Sequence, residues 1–456
     1  MLHHTVLLQD MSLSWAHLNT LFAAILAFLV LRALYLLYFH PLASFPGPRL
    51  AALSTWWLFS VSKTGRAELV FEDLHRKYNT RALRISPNEI HISDSSLYHT
   101  IYSQDHIYTK HPYFYAGFGT PHSVFVETDK TLHQQRRRKM NRFFSKGSIR
   151  GMQRMLYAKV ERLCTVITEL SERGPLNIYS AVRCMTVDII SDLGFGQSFK
   201  LMDDVKGAGF EAPFLQAFDL AAASIWDLMF FPILRFLVFA LPPSMTVLMG
   251  GPAAHMARLF QSIQSTVSSF KAAKASGRPL DHDVIFDGLS DLNHRELVAE
   301  AADVLVAVSD TTATTLTVAV HQLVRNPEAY ETLKREVRQA NLTTREDFDL
   351  KSIEQLPYLS ACVKESLRVA NPVPGRLPRI VPKPKTGAAP LTVDGKVIPA
   401  GTIVGISAYT IHCDPEIWGP DAMKFIPERW LQPEGKQLDK YLVTFSKGAR
   451  QCLGIK

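Results

Sequence analysis

The run LFAAILAFLVLRALYLLYF, from Leu21 to Phe39, sets one stretch of this chain in a different solvent from the rest. As a helix it is long enough to cross a hydrocarbon layer of roughly 30 Å. Its single charge, Arg32, lies towards its C-terminal side, where the side-chain stem reaches back to the interface. Asp10 precedes the run and no Lys or Arg does, whereas Arg32 and Arg49 lie within or after it, so the positive-inside rule leaves the C-terminal bulk in the cytosol. Tyr35, Tyr38 and His40 suit an interfacial belt. A cleaved signal peptide fits poorly, because no basic segment precedes the run and no small-x-small site follows it. The next segment, HPLASFPGPRL, carries Pro41, Pro46 and Pro48 and reads as a stiff, extended hinge over 41–48. The expected organisation is a membrane anchor over 1–40 and one large body over 41–456.

That body has the composition of a large folded core. Of the 456 residues, 47% are hydrophobic and 20% charged, which excludes a disordered chain. The net charge of +8 fits an acidic partner, an anionic membrane surface or simply a basic exterior. No Lys/Arg-rich tail or repeated basic block is present, so nucleic acid is not an expected partner. The five cysteines, Cys164, Cys184, Cys362, Cys413 and Cys452, are scattered and form no CxxC pair, which argues against structural zinc and for a reduced, cytosol-facing protein.

Residues 81–93 read as two short strands around a Pro-Asn turn, and 391–406 as a hairpin turning at Asp394-Gly395. From about 130 to 345 the pattern is mostly helical. A long apolar helix runs from His294 to Val324; Asn326 is then placed to cap the next helix, with Pro327 at its first position. The fold class is mainly α with a small β portion.

Two features of this body invite chemistry. In FSKGARQCLG, Phe445 to Gly454, a Gly at 448 permits a tight turn that brings backbone N–H groups towards the Cys452 sulfur, as an iron-bound thiolate needs. Arg450 is placed to reach an anionic group; taken alone, the Cys reads equally as a small buried core residue. On the long helix, Asp303, Ala307, Asp310, Thr311 and Thr314 make one small polar stripe in apolar surroundings. A carboxylate there is costly without a partner or a task, helix–helix hydrogen bonding being the plainer one.

Phe445, Gly448, Arg450, Cys452 and Gly454 fit FxxGxRxCxG, and on this the chain resembles the cytochrome P450 family over about Phe39 to Lys456. The resemblance implies the cytochrome P450 fold with Cys452 as axial ligand of a haem b iron, in a loop that includes Phe445 and Gly448. AVSDTT, Ala307 to Thr312, resembles the family's oxygen-activating segment, with Asp310 relaying protons and Thr311 supporting the bound oxygen. Val308 departs from the usual Gly there, and a narrower oxygen pocket or an altered local helix distortion is the expected consequence. Glu365 and Arg368 match ExxR and, with Arg429 of FIPERW, imply a buried structural network. By the same resemblance His133 and Arg137, in HQQRRRKMNR, bind haem propionates, together with Arg379 and Arg450. Arg136, Arg138, Lys139 and Arg142 are expected to face solvent, as a plain solvated face or as a docking patch for an acidic electron donor.

The implied activity is that of a haem-thiolate monooxygenase, an oxidoreductase using O2 and NADPH-derived electrons from NADPH-cytochrome P450 reductase. Its substrate would be an apolar small molecule, held by Tyr113–Val126, Phe214–Met249 and Val373–Pro374. YFHPLASFPGPRLAALS and KHPYFYAGFG resemble filamentous-fungal enzymes that decorate terpenoids or polyketides in secondary metabolism. The implied location is the endoplasmic reticulum membrane, single-pass, with the catalytic domain cytosolic and membrane lipid around the N-terminal helix. The family has a helix and a hairpin after the Cys loop, whereas only Leu453 to Lys456 follow Cys452 here, so an incomplete C-terminus is expected. A catalytically inactive haem-binding relative is the alternative; a haem-thiolate isomerase or dehydratase would not need Asp310-Thr311.

Overall fold

The computed structural model describes residues 2–455 except 106, 204, 207–208, 211, 278–281, 341–348 and 385–388, with side chains described from Trp15 onward. Lys456, the end of the expected catalytic body, lies outside the described residues. The chain divides into two compact units, one made of Met1–Asp94 with Ile380–Gly405, the other of Ser95–Arg379 with Ile406–Lys456.

In the first unit, α1 (Leu2–Leu34) runs into a π-helical turn at Tyr35–Phe39. The stretch Trp15–Phe39 is long and apolar enough to cross a membrane and is almost wholly exposed. The Pro-rich segment is not an extended hinge. His40 N–H returns to Tyr35 O, Ala43 N–H to His40 O and Phe45 N–H to Leu42 O, so the chain turns back on itself. Leu42 and Phe45 are then buried, and Arg84 N–H bonds to Pro46 O. Three prolines remove donors without forbidding turns, and two apolar side chains between them find a core.

Helix α2 (Ala67–Tyr78) leads into β1 (Ala82–Ser86) and β2 (Glu89–Ile92), the antiparallel pair expected around Pro87-Asn88. The turn at Asp394-Gly395, both with positive φ, joins β3 (Thr392–Val393) to β4 (Lys396–Val397). The hairpin ends there, because β5 (Ile403–Gly405) pairs with β2 in parallel instead. Residues 398–402 let the chain leave one sheet for another, a choice that alternation alone does not encode.

The second unit is a helical body. Helices α3 (Lys130–Asn141) and α4 (Ile178–Phe195) each start on a side-chain cap, from Asp129 and Asn177. Helices α5 (Pro213–Ala223) and α6 (Gly251–Ala275) follow, then α7 (His294–Arg325). Asn293 and Glu296 form a reciprocal capping box that fixes where α7 begins. Leu297, Ala301, Leu305 and Ala313 of α7 join a core with Val187 and Ile190 of α4 and Ile263 and Val267 of α6. Phe195 and Phe286 stack in the same core with ring centres 4.5 Å apart. Although α7 is also long and apolar enough to cross a membrane, the apolar residues between Leu297 and Ala313 are spent on this core, while Leu316, Val320 and Val324 are exposed.

Helix α8 (Pro327–Gln339) begins with proline as expected. The Asn326 side chain does not cap it; its amide donates to Gln322 O instead, closing the end of α7. Helix α9 (Pro357–Ala370) completes the frame.

Candidate functional site

The Cys loop hangs from a buried ion network on α9. Glu365 Oε1 accepts from Arg368 Nη2 at 2.7 Å, Arg429 Nε at 3.0 Å and the Ile426 N–H at 2.9 Å. Its Oε2 accepts from Arg368 Nε and from Trp430 Nε1, both at 2.9 Å. Arg368 spends its remaining donors on the carbonyls of His412, Ala422 and Lys424. Every polar atom of the pair is engaged, the condition under which buried charges are tolerated.

One residue that the sequence did not single out carries this frame to the loop. His412 is fully buried; its Nδ1–H donates to Asn371 Oδ1 at 2.7 Å, and its Nε2 accepts from the Val443 N–H at 3.0 Å. That pattern requires the neutral ring. Burial, with Arg368 and Lys447 adding repulsion, lowers its pKa to about 3. Thr444 adds a bond to Leu367 O on α9.

Gly448 has φ +74°, and a Cβ there would lie 2.3 Å from Tyr102 O and 2.4 Å from Ser103 O. The glycine therefore serves a close backbone approach, and Ala449 N–H bonds to Ser103 O. The N–H directed at the sulfur comes from Gly454, two residues after the Cys rather than from the turn before it. Cys452 N–H closes the loop onto Phe445 O at 2.9 Å. Cys452 is exposed, yet the loop desolvates its sulfur enough to push the thiol pKa up, while the Gly454 N–H and the Arg137 guanidinium pull it down.

The expected propionate ligands converge. Arg137 donates to Gln451 O at 2.6 Å, beside the Cys; His133, one turn earlier on α3, is buried. Arg450 donates to Glu127 O at 2.6 Å and Thr128 O at 3.0 Å, and Arg379, buried, to the Tyr115 hydroxyl at 2.8 Å. The sequence reading missed a further cation, Lys110. It is buried, donates to Phe125 O and lies 4.2 Å from the Tyr115 ring centre. Burial and then repulsion from Arg379 and Arg450 push its pKa well below the ordinary value. Burial and Arg379 likewise lower Arg450 to about 10. Like charges gathered in low dielectric call for an anion among them, so this donor set fits a dianionic group such as the paired carboxylates of haem.

On α7, Asp310 is ion-paired to Arg183 Nε at 2.5 Å, and Arg183 Nη2 pairs with Asp219 of α5 at 2.6 Å. Burial raises the Asp310 pKa against the pull of Arg183. Thr311 Oγ1 donates to Ala307 O at 2.6 Å. Val308 packs half-buried against the main core, and α7 continues as α-helix through it. Leu453 packs against the same core, bringing the Cys loop to the apolar cluster that holds Leu305 and Val308. One expectation fails: Arg136 does not face solvent but pairs with Glu296 at 2.9 Å and Glu300 at 3.2 Å. A run of adjacent basic residues does not say which arginine meets a carboxylate on another helix.

A thiol-bearing loop on a buried Glu–Arg network, beside a cluster of buried cations and an Asp-Thr pair on a long core helix, defines a haem-thiolate class of site. The Cytochrome P450 family pattern matches residues 46–456, and the chain belongs to that family. It is 32% identical over 447 residues to cytochrome P450 monooxygenase aneF of Aspergillus aculeatus, covering 94% of this chain and 88% of that one. It is 31% identical to ankB of Aspergillus thermomutatus, over 92% of this chain and 80% of the relative. It is 32% identical to macH of Penicillium terrestre, over 93% and 85%. Both are likewise cytochrome P450 monooxygenases. The chain is a monooxygenase of this family.

Proposed function

We propose that this chain oxygenates an apolar small molecule, a terpenoid or polyketide of fungal secondary metabolism, using O2 and NADPH-derived electrons from NADPH-cytochrome P450 reductase. The observation that carries the reading is the Cys452 sulfur, held beside the Gly454 N–H and Arg137 on a loop fixed by Glu365, Arg368 and His412. Haem b would supply oxygen binding and activation here; Cys452 would hold its iron, and His133, Arg137, Arg379, Arg450 and Lys110 would hold its carboxylates.

Each remaining role follows from a chain atom. The Thr311 hydroxyl gives its proton to Ala307 O, so its own oxygen is left to accept a hydrogen bond from a proton donor on the reaction side. Asp310, with its pKa raised by burial, holds or releases a proton at its carboxyl according to its pairing with Arg183. Residues of Tyr113–Val126 and Phe214–Met249, rich in Phe, Leu and Met, exclude water from an apolar ligand. Arg138 and Arg142 stay exposed on and beside α3 and offer an acidic electron donor a docking point. The exposed Trp15–Phe39 stretch anchors the chain, single-pass, in the endoplasmic reticulum membrane with the catalytic body cytosolic.

The test is turnover under labelled dioxygen, with reductase and NADPH, against a panel of apolar terpenoids and polyketides. One labelled oxygen atom per product, lost with Cys452→Ala, is the expected result. Label from water instead of O2 would overturn it.

A further inference from the structure

Where the exposed Trp15–Phe39 stretch ends, the chain closes a small cavity that the proposed reaction does not use. It lies wholly within the first unit, encloses about 190 Å³ and is lined by Leu37, Tyr38, Phe45, Ala52, Arg49 and Arg84 among others. Among the described lining residues are two arginines and no acid.

Arg84, on β1, is 2% exposed. Its Nη1 donates to Leu36 O at 2.9 Å, and its Nη2 to Pro87 O at 2.8 Å and to His40 Nδ1 at 3.3 Å. His40 Nδ1 also accepts from the Leu42 N–H at 3.1 Å, so it carries no proton and offers a lone pair rather than a charge. All three partners of Arg84 are therefore neutral. Its Nε is buried with no hydrogen-bond partner. Burial lowers the Arg84 pKa, and among the described residues no carboxylate offsets that effect. Bracing two carbonyls and a ring nitrogen needs N–H groups but no net charge, whereas a buried guanidinium without a counter-ion is costly.

The walls of the cavity are fixed. Arg84 N–H bonds to Pro46 O at 2.7 Å, and a Cβ on Gly47 would lie 2.2 Å from Arg84 O, so the Pro-rich segment rests directly on β1. Lys396 Nζ donates to Ser44 O at 2.7 Å and brings a third cation to the same segment.

We propose that this cavity is a phosphate site whose occupant is the headgroup phosphate of a membrane lipid, held by Arg84 and Arg49. An oxyanion supplies both the missing counter-charge and an acceptor for Arg84 Nε. The position of the cavity points to a lipid as the source. Leu37 and Tyr38 close the apolar stretch, and Tyr35, Tyr38 and Phe39 are exposed beside them, as in an interfacial belt at headgroup level. One bound lipid would fasten the turn at 40–48 to β1. The choice of a lipid rests on the anchoring role proposed for Trp15–Phe39; the phosphate site itself does not.

The test is amide hydrogen exchange of the full chain in nanodiscs of two lipids without net charge, phosphatidylcholine and the phosphate-free digalactosyldiacylglycerol. Exchange over 36–49 and 82–86 is expected to be about tenfold slower in phosphatidylcholine, the scale of one charge-assisted hydrogen bond. In Arg84→Gln the two lipids should give equal rates. Arg49→Gln leaves the buried bonds of Arg84 in place and should shrink the difference, so it decides should Arg84→Gln misfold. Inorganic phosphate added to the galactolipid discs separates the sources: no slowing supports the lipid, and slowing equal to that in phosphatidylcholine overturns the lipid in favour of free phosphate. Equal wild-type rates in both lipids, with the chain embedded in both, overturn the proposal. A chain that enters neither disc refutes the anchoring role and the lipid with it. Phosphate titration in solution then decides the site alone, slowed exchange supporting it and unchanged exchange ending it.

Discussion

Replacing Arg368 by Lys keeps the charge and should nonetheless cost much of the fold's stability. All five N–H groups of the Arg368 guanidinium are used: two on Glu365, at 2.9 and 2.7 Å, and three on the carbonyls of His412, Ala422 and Lys424. The side chain is 1% exposed, so water cannot replace a lost donor. An ammonium has three N–H groups and no planar fork, so at least two buried acceptors go unmet. At about 1–3 kcal/mol for each, the cost is about 2–6 kcal/mol, a range that brackets the roughly 3–5 kcal/mol of breaking a buried ion pair. A domain stable by roughly 5–15 kcal/mol does not absorb that quietly. The assay is urea unfolding followed by tryptophan fluorescence. Trp430 donates to Glu365 and the Trp418 ring centre lies 4.9 Å from the Arg368 guanidinium, so two of the six tryptophans report the network directly. A loss below about 1 kcal/mol at unchanged denaturant slope would refute the reasoning, because the carbonyl bonds would then contribute nothing.

Other perturbations test neighbouring parts of the account. Gly448→Ala places a Cβ 2.3 Å from Tyr102 O at φ +74°, and the loss expected is about 1–3 kcal/mol plus a displaced Cys loop, read as lower haem content per chain. His412 is held neutral with its pKa lowered to about 3, so the unfolded chain binds the extra proton first. Its stabilising effect is complete above about pH 6.5 and is lost by roughly 1.4 kcal/mol per pH unit as pH falls towards 3. Acid unfolding of His412→Gln should lack that part of the slope; an unchanged slope would remove His412 from the loop's support.

The legible parts of this molecule are those fixed by local chemistry. Asp394-Gly395 specified its turn, Asn293 and Glu296 specified where α7 starts, and Gly448 stood where two backbone segments meet. Glu365 and Arg368, three apart on one helix, were visible as a pair. Their acceptors were not, because His412, Ala422 and Lys424 are brought to them only by the fold. Arg183 was invisible for the same reason, since nothing near it in sequence announces Asp310 or Asp219. Lys110 carries no local signal of its burial, because Tyr115 and Phe125 close over it only in the fold. The Pro-rich segment misled in the other direction: proline density argued for extension, while Leu42 and Phe45 had a core to enter.

The central claim is that Cys452 is the haem ligand of this chain. The most direct measurement is the carbon monoxide difference spectrum of the reduced protein, with Cys452→Ala beside it. The account predicts a thiolate-type Soret band that is absent from the variant. A band that survives the substitution would contradict it, since the iron would then be held by another residue.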